Sequence, residues 1–217
     1  MKTISKQKTL ILLLLILLIG GFIRVWKLDS IPWGFFCDEA SIGYNSYTLA
    51  TRGVDEFGTS WPLFFKAFGE YKSPIMIYTG IFFVKILGLS EFSIRSISAF
   101  YGILGIIAIY FLAKVLSNKN IGLFSALLLA ISPWHIHFSR IAFEMMPFVF
   151  FTTMGLYFYI KYNTFRVHLL DLFLSIIFFN LAFYSYSPAR IFIPLLILIK
   201  LKITLKHTFC PVCLEYF

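Results

Sequence analysis

An all-α fold, a polytopic transmembrane helical bundle with a large first external loop and a juxtamembrane helix, is what this sequence predicts, on three observations. Of its 217 residues, 59% are hydrophobic and only 13% are charged, with a mean hydropathy of +0.85. That leaves too little polar side chain to cover a water-facing surface. Long apolar runs recur along the chain, divided by short basic patches. One polar, turn-rich stretch separates the first run from the others. Residues 1–217 therefore read as a single membrane domain.

The first run, "TLILLLLILLIGGFIRVW" at residues 9–26, is long enough to cross a hydrocarbon core of ~30 Å as a helix. Lys2, Lys6 and Lys8 precede it, which predicts a cytoplasmic N-terminus. Its end, "GGFIRVW", has no A-x-A cleavage pattern, so it reads as an uncleaved anchor. Residues 27–96 form the external loop, with "IPWG", "TRGVDEFGTSWP" and "GEYKSP" as turn-rich, charged segments. Inside that loop, residues 74–88 ("PIMIYTGIFFVKILG") are apolar but short and interrupted by Lys85, which predicts a helix lying along the membrane surface. About five further transmembrane helices are expected in residues 97–206, at 97–115, 121–134, 147–161, 169–186 and from Ile191 to "KLK".

Charge parity decides how residues 74–88 are treated. If they do not cross, Lys2, Lys6, Lys8, Lys114, Lys119, Lys161, Arg166, Lys200, Lys202 and Lys206 face inward, against Asp171 and Glu215 alone. The other nine basic residues and eight acids lie outside. A crossing at 74–88 would turn the basic loops at 114–119 and 161–168 outward, against the positive-inside bias. The net charge of +9 thus reports orientation, and nothing resembles a nucleic-acid-binding module.

This topology gathers chemistry on the outer face. Asp38 and Glu39 in "FFCDEASIGYN", Lys72, Arg95, Arg140, Glu144 and Arg190 all fall there. A carboxylate beside hydrocarbon is costly unless it is paired, hydrated or bound to a cation. Held in place, it can take a proton from a hydroxyl. "CDEAS" is also a natural helix start, since acids favour a helix N-terminus, and a cap would fix the carboxylate's direction. Each basic residue alone could be snorkelling to the headgroups. As a set facing paired acids, they suit a phosphate.

Other features point elsewhere or nowhere. His135 and His137 do not share one helical face, so with Glu144 they form a metal site only on a non-helical turn. Cys37, Cys210 and Cys213 are too few for a disulfide framework, and "CPVC", one C-x-x-C without a second ligand pair, reads as a chance tail sooner than as half a zinc site or a redox pair. Aromatics such as Tyr44, Trp134 and Tyr184 could stack on a sugar, though 20% of the chain is aromatic. A transporter reading lacks inverted repeats and mid-span acids.

Five ordered stretches resemble a known family: "DEASIGYNSY", "FGEYKSPIMIY", "EFSIRSISAFYGILG", "SPWHIHFSRIAFE" and "YSYSPARIFIPL". Together they are similar to the polytopic C-type glycosyltransferases that use polyprenyl-phosphate sugars, in the protein O-mannosyltransferase and aminoarabinose-transferase group. The resemblance runs from about Leu10 to Leu195. It makes Asp38 the catalytic base, with Glu39 beside it. Lys72 stands at the basic position of a K-P-P-like motif contacting lipid phosphate, with Ser73 in place of the first Pro. Arg95, Arg140 and Arg190 join it as donor phosphate contacts. Glu144 stands where the family more often has Asp.

The resemblance implies sugar transfer from a polyprenyl-phosphate-linked donor to a hydroxyl acceptor (protein, lipid or glycan) outside a plasma membrane, with inversion. No cofactor is required by the motifs, and a divalent metal between the acids of the two loops is an option the residues leave open. Family members usually carry more spans and often a soluble external domain, so a chain of about six spans resembles an N-terminal portion. The alternative reading is a non-catalytic module that binds polyprenyl phosphate.

Overall fold

The computed structural model describes residues 5–67, 69–165 and 168–198. It is a helical bundle with one small hairpin. Helix α1 is Lys6–Val25, started by Ser5, whose hydroxyl accepts from the Lys8 amide at 3.3 Å. Thr9, Ile16, Gly20 and Arg24 form its buried stripe, while Leu10, Leu14, Leu18 and Phe22 face outward. That outward apolar face is what lipid demands.

The loop expected after α1 is half helical. Helix α2 (Cys37–Arg52) begins with both acids in its first turn and ends at Gly53, whose φ of +72° suits a residue without a Cβ. Strands β1 (Phe65–Ala67) and β2 (Glu70–Lys72) pair antiparallel, with Phe65 opposite Lys72. Side chains alternate across a strand, so Phe65 and Lys72 turn inward while Lys66 and Tyr71 stay exposed. Helix α3 (Pro74–Leu87) follows at once, with Pro at its first position. At 14 residues it is ~21 Å long, short of a full crossing. Gly80 lets α2 approach closely: an added Cβ there would collide with Ser46, whose hydroxyl donates to the Ile77 carbonyl at 2.9 Å.

The central helix, α4 (Glu91–Leu116), starts six residues earlier than the predicted 97, so Arg95 sits inside its first turns. It packs against α1 and α3 and against the helices of residues 119–139 and 145–165. The predicted span 121–134 is broken. Helix α5 is Lys119–Ile131 and α6 is Pro133–Ser139, and the two are bent by 62° at Ser132. Pro133 lacks an amide hydrogen and cannot continue α5. Arg24 closes the break from α1, donating to the Leu129 and Ala130 carbonyls at 3.1 and 3.0 Å.

Helices α7 (Met145–Phe165) and α8 (Leu169–Phe183) pack on one another, and Ser175 donates to the Gly155 carbonyl at 2.9 Å. Helix α8 stops three residues short of the predicted 186, and α9 (Ala189–Leu198) follows. Among the described residues α1 and α4 are long and apolar enough to cross a membrane, and the bent α5–α6 pair makes a third. Helix α7 is long enough, but Thr152, Thr153, Tyr157, Tyr159 and Lys161 dilute its apolar character. The end of the last predicted span, with Lys200, Lys202, Lys206, Cys210 and Cys213, lies outside the described residues.

Candidate active site

Successive residues of a helix point about 100° apart, so Asp38 and Glu39 leave α2 in different directions. Glu39 turns inward. Its Oε1 accepts from Arg95 Nε at 3.1 Å and from the Ala142 amide at 2.9 Å. Its Oε2 accepts from Arg95 Nη2 at 3.3 Å and from the Phe36 amide at 3.0 Å. Arg95 is wholly buried and also donates to the carbonyls of Leu28, Pro32 and Gly34. One ion pair thereby fastens α2, α4, the 26–36 loop and the link between α6 and α7.

Asp38 faces the other way, toward an open cavity. Its Oδ1 lies 2.8 Å from Lys72 Nζ, with the Asp38 side chain 31% exposed and that of Lys72 5% exposed. The hairpin register explains the delivery of Lys72, as does Pro74, which ends the strand directly after it. The cavity is about 350 Å³, a fit for a small polar group, and Asp38, Lys72, Glu70 and Glu144 supply its charge. Tyr186, Ser187 and Pro188 wall its far side from the α8–α9 turn.

Glu144 lies in the α6–α7 link. Burial pushes its carboxyl up from 4.5 to about 7. The Ser73 amide, donating to its Oε1 at 3.0 Å, and nearby Lys72 work against that rise, while Asp38 and Glu70 add to it. The Phe143 amide donates to Ser98 Oγ at 3.1 Å, fixing the link to α4.

Arg140 and Arg190 stand differently from the cavity residues. Arg140 donates to the carbonyls of Ile23, Trp26 and Ile31 at 2.6, 2.7 and 3.1 Å, tying α6 to the end of α1. Arg190 follows the Tyr186–Pro188 wall with its guanidinium 4.4 Å from the Phe64 ring centre. Its Nε and Nη2 are buried with no hydrogen-bond partner among the described residues.

Of the seven residues singled out by sequence, then, Asp38, Lys72 and Glu144 converge on one cavity. Glu39 and Arg95 form the buried network behind it, half-buried Arg140 ties α6 to the end of α1, and Arg190 stands against Phe64 outside the cavity lining. His135 is buried at the α5–α6 break, 2.8 Å from Arg24, away from both groups. Among the described residues no three His, Cys, Asp or Glu side chains converge to hold a metal ion. Sequence reasoning passed over Ser73 as a donor, Glu70, and Tyr186. "YSYSPAR" was the only available signal for the last.

The class of fold comes from solved structures. The chain superposes on the archaeal oligosaccharyltransferase AglB from Archaeoglobus fulgidus, in complex with an inhibitory peptide and a dolichol-phosphate, with a TM-score of 0.63 and 19% identity over 86% of this chain and 24% of that one. The apo form of the Archaeoglobus enzyme gives 0.64, again at 19% identity and with the same coverages. Its complex with zinc and sulfate gives 0.60 over 83% of this chain and 25% of that one. An uncharacterized protein of Aquifex aeolicus (strain VF5) is 33% identical over 111 residues, 51% of this chain and 22% of its own length.

The chain belongs to the dolichyl-phosphate-mannose-protein mannosyltransferase family, whose model matches residues 71–213. It spans about a quarter of the length of these relatives. Lys72, Arg95, Arg140, Glu144 and Arg190 fall inside the matched region, and Asp38 and Glu39 lie ahead of it. The two motif departures noted in the sequence, Ser73 and Glu144, touch each other. A Pro at 73 would have no amide hydrogen to give that carboxylate.

Proposed function

We propose that this protein is a glycosyltransferase of C type, moving a sugar from a polyprenyl-phosphate-linked donor to a hydroxyl acceptor on the external side of the plasma membrane. One observation carries the reading: Asp38, Lys72 and Glu144, from three separate elements, share one cavity in a chain of this family. The AglB structure holds a dolichol-phosphate and a peptide, which supports a lipid-phosphate donor and a protein acceptor here.

In this mechanism Asp38 removes the proton of the acceptor hydroxyl as its oxygen attacks the anomeric carbon. A new glycosidic C–O bond forms, and the bond to the phosphate oxygen breaks on the opposite face, so the centre inverts. The lipid phosphate leaves with the electron pair. Lys72 meets that charge as it develops, and Arg190, next to the Tyr186–Pro188 wall, adds its positive field from outside the cavity lining. Arg95 and Arg140 act as positioning residues, since their donors are already engaged by protein oxygens. Glu144, near half protonation at neutral pH, lessens the repulsion that a third fixed carboxylate would present to the phosphate.

The test is two-part. Purified protein in lipid nanodiscs should bind polyprenyl phosphate, weakly after Lys72→Ala or Arg190→Ala and normally after Asp38→Asn. With a lipid-linked sugar and a hydroxyl acceptor, the same Asp38→Asn change should stop transfer. Binding without transfer by the intact protein would leave the non-catalytic binding module instead. Sidedness is read in cells by labelling Ser117→Cys as the single cysteine, with Cys37, Cys210 and Cys213 replaced by Ser: reaction with an impermeant reagent from outside would reverse the orientation.

A further inference from the structure

The stretch between α1 and α2 is built inside out. Apart from Leu28, which is buried, its large apolar side chains point away from the protein: Trp33 is 95% exposed, Phe36 60%, Trp26 55% and Ile31 44%. Six of its backbone carbonyls are taken by arginines. Arg95 takes those of Leu28, Pro32 and Gly34. Arg140 takes those of Trp26, Lys27 and Ile31, and of Ile23 one turn earlier. Both arginines come from other elements of the bundle.

In water this arrangement is the wrong way round. A surface loop normally shows its peptide groups to solvent and keeps its aromatics down. In hydrocarbon the requirements are reversed, because an unsatisfied carbonyl is costly there and an aromatic ring is not. Two guanidiniums supply a fixed stand-in for the missing water. The exposed apolar face is also continuous with that of α1, since the Phe22 and Trp26 rings meet at 5.0 Å. Leu18 and Ile19, one turn further back on α1, are 68% and 51% exposed.

We infer that residues 26–36 lie in the membrane interface, with Trp26, Ile31, Trp33 and Phe36 among the acyl chains of the outer leaflet. The occupant of this surface is the bilayer itself. Lys27, Asp29 and Ser30 are exposed at one end of the stretch and meet the headgroup layer, so the immersion is shallow. The consequence reaches the cavity. Glu39 is held by the same Arg95 and by the Phe36 amide, so the immersed stretch sets the depth at which the Asp38 carboxylate stands relative to the lipid surface. This goes beyond the transfer reaction and does not require it.

The test uses the whole chain in phosphatidylcholine nanodiscs, with Cys37, Cys210 and Cys213 replaced by Ser and one nitroxide label placed by Trp33→Cys, Phe36→Cys or Ser117→Cys. Collisions with dissolved oxygen should exceed those with a water-soluble nickel chelate several-fold at positions 33 and 36, with the order reversed at 117. Nickel dominating at 33 and 36 would overturn the inference, placing the stretch in water. Exclusion of both reagents at those positions would also overturn it, because another protein segment or a second copy would then cover the face. Two label sites keep the test decisive if either variant fails to fold.

Discussion

Asp38 and Glu39 are neighbours in the chain and opposites in the structure. Glu39 is sealed in: four donors surround it, and its side chain is 2% exposed. Asp38 holds one cation at 2.8 Å and keeps a third of its surface open to a cavity. The difference teaches that paired acids need not be a catalytic pair. One carboxylate organises the framework, and its partner keeps an open face to the cavity because the framework is held by the other. Burial decides which is which, since a carboxylate whose lone pairs are all taken by fixed donors has none left for a reacting proton.

The sharpest way to break the comparison is Glu39→Ala. Removing one member of a buried pair strands the Arg95 charge, and ~3–5 kcal/mol of stability should go with it. Thermal unfolding in detergent checks this. A variant as stable as the parent would mean that Glu39 is not a structural anchor.

Asp38→Asn should do the reverse. Stability should change by less than ~1 kcal/mol, as for a partly exposed ion pair, while the proposed sugar transfer falls ~10²–10⁴-fold, the usual worth of a positioned base. Full turnover in that variant would remove Asp38 from the chemistry.

Glu144 sharpens the contrast through pH. Its carboxyl is raised to about 7 in the folded protein, so between its ordinary value and 7 the folded chain holds more protons than the unfolded one. Its share of stability is therefore present at acid pH and is lost as pH rises through 7. Donor binding should weaken over the same range, because the new charge repels phosphate. A unit charge ~10 Å away at an effective dielectric of ~20 is worth ~1.7 kcal/mol, somewhat over tenfold in affinity. Titration of polyprenyl-phosphate binding should show the step, and Glu144→Gln should abolish it.

The smallest effect tests the contact between the two motif departures. Ser73 has φ −76° and ψ 143°, a backbone that Pro accepts. Ser73→Pro deletes only the amide that holds Glu144, a bond to a charged group worth ~1.5–3 kcal/mol. The midpoint of the binding step should rise by about one unit, since each pKa unit is ~1.4 kcal/mol. An unmoved midpoint would mean that the Ser73 amide does not hold the Glu144 charge.

Much of the fold was legible because its signals are local. The Leu-rich run gave α1, the short segment with Lys85 gave α3, and the acids in "CDEAS" gave the start of α2. The break in the predicted 121–134 span had a visible cause in Pro133, yet its 62° angle depends on Arg24 reaching across from α1. The site was legible only as a list of charges. Arg95, Arg140 and Lys72 look alike in sequence, each a cation at the edge of an apolar run. Nothing local distinguishes the two that fold inward on carbonyls from the one that faces the cavity.

Residue type and spacing alone determined that this chain is a membrane bundle and where most of its apolar helices begin, because hydrophobic run length and helix-end chemistry act within a few residues. Only the tertiary structure decided which acid stays open, which arginines are consumed by backbone oxygens, and that Ser73 meets Glu144. Those outcomes hang on contacts between residues tens of positions apart, where direction and burial, invisible in the order of the residues, set each group's chemistry.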